Sequence, residues 1–121
     1  MKTLHLACAA GLLLGAACTT IPHRFTQDEA IYPNCGYRIE PMGDKGFALE
    51  IFLKQYSWGL SAESAILSGR ECFTTTAAFL AQDQGKKIAP LTAADMNTST
   101  TRNLIDANFS VYVTGKVAYT N

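Results

Sequence analysis

The chain has 121 residues, ten basic and ten acidic side chains, and 48% hydrophobic residues. That length suits one small domain, and the balanced, unclustered charge lacks the positive face that nucleic-acid binding needs. The apolar content excludes a disordered chain, and no internal repeat divides it.

Residues 1–17 have the layout of a signal peptide. Lys2 is a minimal positive start, Leu4 to Leu14 form an apolar run, and Gly15, Ala16 and Ala17 are the small residues a signal peptidase requires. The run is too short to span a bilayer comfortably. The stretch Leu12 to Cys18 (Leu-Leu-Leu-Gly-Ala-Ala-Cys) resembles the lipobox of bacterial lipoproteins, although Gly15 stands where that motif prefers leucine. The resemblance implies that Cys18 is acylated and becomes the mature N-terminus, anchoring the protein to a membrane of the bacterial cell envelope on its periplasmic side. Thr19 follows the cysteine, and the absence of aspartate there points to the outer membrane. The competing reading is an ordinary secretory signal cut near Ala17.

Cysteine parity bears on that choice. Loss of the signal removes Cys8 and leaves Cys18, Cys35 and Cys72, an odd number in an oxidising compartment. Acylation of Cys18 uses one and leaves Cys35 and Cys72 to pair. The resulting loop of roughly 38 residues is worth about 3–4 kcal/mol on the chain-entropy model.

Residues 18–34, polar and interrupted by Pro22 and Pro33, are expected to be a lipidated start and tether. Lone His23 lies there with no metal-ligand partner at recognisable spacing. The domain is expected to occupy 35–121. Cys35 to Glu40 reads as a short strand, and Pro41, Gly43, Asp44 and Gly46 as a turn. Phe47 to Trp58 alternates strongly and should complete a hairpin.

Ser61 to Gln84 is the one substantial helix. Ala62, Ala65, Ile66, Gly69, Phe73, Thr76, Ala77 and Leu80 fall on one stripe, with Cys72 beside it. Ser61 suits the N-cap, Glu63 the positive end of the dipole, and Gly85 the stop. Most stripe residues are small, so the backbone should sit close to what it covers.

Lys86 to Leu91 reads as an edge strand because of Pro90, and Thr92 to Ala107 as a long polar loop with one helical turn. Phe109 to Tyr119 is a strong strand with a bulge expected at Gly115. The fold class is therefore α+β, in the order ββαββ, an antiparallel or mixed sheet with one long helix packed on one face. The arrangement of Gly36-Tyr37, Phe47 opening a strand, Ser61-x-Glu63 and a helix ending at Gly85 is similar to that of small proteobacterial lipoproteins of the CC0125/CC1285 family. That likeness covers about half the chain and implies no functional residues.

No catalytic constellation can be assembled, so the chain reads as non-enzymatic and without cofactors or metals. After the signal the only histidine is His23, and Cys72 is better placed in a disulfide than as a nucleophile. Two binding candidates remain. One is a protein interface, for an envelope partner or a second copy, on the sheet face away from the helix: Phe52, Tyr56, Trp58 and Tyr112. Its aromatics are either exposed together or covered by the protein's own tether or loop. The alternative is a small anion or glycan site on the 97–103 loop, using Thr98, Thr100, Arg102 and Asn103. A concave pocket bordered by Arg102 would favour that ligand site, whereas a flat aromatic sheet face would favour the interface.

Overall fold

The structure, a computed structural model, describes residues 21–56, 61–102 and 108–120. They form an α+β fold in which an antiparallel sheet of six strands packs one face against one long helix. The strands are β1 (Thr26–Gln27), β2 (Cys35–Pro41), β3 (Gly46–Tyr56), β4 (Lys87–Ile88), β5 (Met96–Arg102) and β6 (Asn108–Thr120), and the helix α1 is Ala62–Asp83.

The hairpin forms as the alternation and turn residues require. β2 and β3 stay in register from Cys35 opposite Leu53 to Pro41 opposite Phe47, and the turn closes with Met42 N–H donating to the Gly46 carbonyl. β6 then inserts between β3 and the far edge, so the sheet runs β1-β2-β3-β6 and ends on β5 and the two-residue β4, both paired to β6. β5 lies against Phe109 to Gly115 and β4 against Tyr119 and Thr120. Between those two strands the chain leaves the sheet at Pro90. It returns through a 3-10 turn, Ala93–Asp95, closed by reciprocal bonds between Thr92 and Asp95.

Helix α1 begins and ends where its caps dictate. The Ser61 hydroxyl accepts from the Ser64 N–H at 3.1 Å. At the other end Gly85 adopts φ 69°, and Lys86 and Gly85 donate to the Ala81 and Gln82 carbonyls, the double bond of a Schellman stop. The buried stripe is Ala65, Gly69, Cys72, Phe73, Thr76, Ala77 and Ala81. Cys72 lies within the stripe rather than beside it, and Ala62 is exposed. The small residues do bring backbone to sheet. A methyl group on Gly69 would sit 2.4 Å from Val111 Cγ1.

Beneath the helix, Leu49, Ile51, Val111, Val113 and Val117 are wholly buried, with Phe47 and Leu53 almost so. The Cys35–Cys72 disulfide closes this core on its β2 side and ties the first hairpin strand to the middle of α1.

Three expectations are corrected. First, Gly115 marks no bulge, since β3 and β6 pair without a break from Gly46 opposite Ala118 to Tyr56 opposite Asn108. Gly115 instead makes room: a Cβ there would lie 2.5 Å from the Asp95 carbonyl oxygen and 2.9 Å from Phe73 Cζ. Gly115→Ala should therefore lower stability by about 1–3 kcal/mol through overpacking, measurable by denaturant titration. Second, Met96–Arg102 is a strand rather than a loop. Threonine is β-branched and favours strands wherever a neighbour offers a ladder, and β6 does. Third, residues 21–34 are not merely a tether, because they contribute β1 and a buried Phe25 to the sheet.

Candidate functional site: the outer face of the sheet

Strand register lays out the face away from the helix row by row. Gly36, Phe52, Tyr112 and Ser99 lie abreast; then Arg38, Glu50, Thr114 and Asn97; then Glu40, Ala48 and Lys116. The two ends of this face differ in character.

At the aromatic end, Phe25 covers the sheet. Its ring centroid is 5.8 Å from that of Phe52 and 6.3 Å from that of Tyr112, and it is 5% exposed. Gly36 permits the approach, since a Cβ there would lie 2.7 Å from both Phe25 and Ile21. Arg24 stacks over the Phe25 ring at 4.7 Å. Of the expected aromatic interface, Phe52 and Tyr112 are thus half-buried beneath the protein's own N-terminal segment. Tyr56 ends β3 opposite Asn108, its side chain lies outside the described residues, and so does Trp58.

The middle row holds a polar network. Glu50 accepts from the Arg38 Nε–H at 2.5 Å and from the Tyr112 hydroxyl. The Tyr112 bond, then the Arg38 bond, hold the Glu50 carboxyl below its ordinary value. The same bond raises the Tyr112 phenol, whose ionised form would stand beside a carboxylate, and the Glu50 partner raises Arg38. Glu50, depressed in the fold, contributes stability above its unfolded pKa that is lost as pH falls through the folded value; Tyr112, raised, contributes stability that is lost as pH rises through its folded value. Tyr112→Phe should bring the Glu50 titration, followed by NMR, upward toward that of a free carboxylate. It should also flatten the alkaline limb of the stability profile.

Beyond that network the face is open. A groove of about 530 Å³ is lined by Arg38, Glu40, Glu50, Asp95, Asn97 and Lys116, with Ala48 as its short-chained floor. Two cations stand among three carboxylates.

The expected ligand residues do not meet there. Thr98 and Thr100 lie opposite Val113 and Val111, and Arg102 opposite Phe109, which puts all three on the helix side of β5. The Arg102 guanidinium stacks 5.7 Å from the Phe109 ring. Asn103 and Cys18 lie outside the described residues. The groove is therefore not bordered by Arg102. Among the described residues no cysteine is free, no group of three or more metal-ligating side chains comes together, and no helix is long and apolar enough to cross a membrane.

The Arg38–Glu50 pair was not singled out from sequence, yet the hairpin register places these two residues face to face. The short turn could have disclosed it. Phe25 carries no such signal, standing in a polar stretch without periodicity.

Among the described residues, fold and face define a small antiparallel-sheet domain with one long helix and a partly open surface. No protein-family model, curated protein or solved structure matches the chain.

Proposed function

We propose that the chain is a non-enzymatic, lipid-anchored module of the bacterial cell envelope that acts through protein contacts, as an accessory, assembly or inhibitory component. Acylated Cys18 would hold it on the periplasmic side, in the outer membrane, with residues 1–17 removed as the signal. The observation that carries the contact reading is the groove beside Arg38, Glu50 and Tyr112, which is open on the face that the helix leaves uncovered. Its interspersed charges suit the polar side chains and backbone of another protein. Three carboxylates among the cations disfavour a small anion, and Arg102, the key residue of the anion or glycan reading, lies on the other face. The partner surface accordingly shifts from the aromatic patch to its polar neighbour.

The test is a photo-reactive side chain at Thr114 in the groove, in the full chain within the envelope, compared with one at Leu67, exposed on the helix. A discrete adduct from Thr114 and none from Leu67 supports the proposal; no adduct from Thr114 sinks it. Anchoring is tested separately. A fatty-acid analogue should label the wild type and not Cys18→Ser, whereas an unlabelled wild type recovered in the soluble periplasmic fraction would remove the anchor from the account.

A further inference from the structure

We infer that the outer edge of β5 is a self-association edge, at which two copies of the chain pair antiparallel about Ser99. β5 pairs with β6 along Met96–Arg102, and no described residue pairs with its other side. Every second residue of such a strand directs an unpaired N–H and C=O outward, a template for another strand.

The two sheet edges are treated differently. On the β2 side, β1 covers Gly36 and Tyr37, and the remaining edge carries Arg38 and Glu40 and ends at Pro41. Charges and proline of this kind are what block strand addition. β5 has no proline, no lysine and no break in its register, and its single charge is the terminal Arg102.

The occupant follows from the sequence of the strand itself. Antiparallel pairing about Ser99 sets Thr98 against Thr100 of the second copy, Asn97 against Thr101, and Met96 against Arg102. No like charges face each other, and the short hydroxyl and amide side chains form favourable cross-strand pairs. Facing residues then have the same parity, so both helices fall on one side of the joined sheet and both outer faces on the other. Asn97 lines the groove, so self-association would bring the two grooves toward each other along one continuous face. The inference does not depend on what the groove binds. An edge of seven residues buries less than a standard interface, so the association should be weak and concentration-dependent.

Ser99 is exposed, and Ser99→Cys in the full chain, under mild oxidation, reads the contact directly. The expected result is a covalent dimer several-fold more abundant than that from Leu67→Cys. Ser99→Lys, which opposes two like charges at the twofold axis, should weaken self-association by about fivefold or more in sedimentation, with an unchanged circular dichroism spectrum. A Ser99→Cys protein that cross-links no better than Leu67→Cys overturns the inference, as does a wild type that sediments as a monomer at every concentration.

Discussion

Replacing both Cys35 and Cys72 with alanine should lower the stability of the domain by about 3–4 kcal/mol, through the restored freedom of the unfolded chain. In thermal unfolding that corresponds to a drop on the order of 20 °C for a domain of this size. The cross-link joins two buried positions, Cys35 at 5% exposure and Cys72 at 0%, so the substitutions also remove packed sulfur from the core. β2 should suffer first, because among the described residues it is held beyond β1 by β3 on one side only. Hydrogen exchange should show Tyr37 to Glu40 losing protection before Ile51 or Val113. A double variant as stable as the wild type, in protein whose wild-type thiols titrate as oxidised, would mean that the bond constrains nothing.

Phe25→Ala should cost about 3 kcal/mol, the lower end for truncating a buried phenylalanine, because the ring is 5% exposed and lies on Phe52 and Tyr112. A mere tether would predict a change within about 0.5 kcal/mol. The same variant should expose Tyr112, measurable as increased accessibility of its ring to a collisional quencher. It should also bring the Glu50 carboxyl closer to its ordinary value, since Arg24 contributes to holding it down. If Phe25→Ala unfolds at the same denaturant concentration as the wild type, residues 21–34 do not belong to the domain.

What could be read from sequence was whatever local chemistry decides. The caps Ser61 and Gly85 and the small-residue stripe located α1, and the alternation of Phe47 to Leu53 with the turn at Gly43 to Gly46 located the hairpin. Cysteine parity located the disulfide. Beyond reach was anything settled by a distant neighbour. Thr98, Thr100 and Thr101 are ordered because β6 lies alongside, and nothing near them in sequence says so. Gly115 looked like a defect of its strand because the ring that needs the space, Phe73, is 42 residues away along the chain. β1 is two residues long and carries no periodicity of its own, so Phe25 could not be assigned to the sheet. The site follows the same division. Phe52 and Tyr112 were placed correctly on the outer face by alternation, but what covers them was a long-range matter.

On the function proposed above, the open, polar half of the outer face is where the protein would meet a partner. Ala48, the short residue flooring the groove between Glu40 and Lys116, allows it to be tested directly. The measurement is the yield of the Thr114 photo-adduct in the envelope with and without Ala48→Trp, which fills the groove from a half-buried position outside the core. With thermal stability retained, the adduct should fall severalfold or vanish. An adduct that persists at full yield with the groove filled would place the contact on another surface.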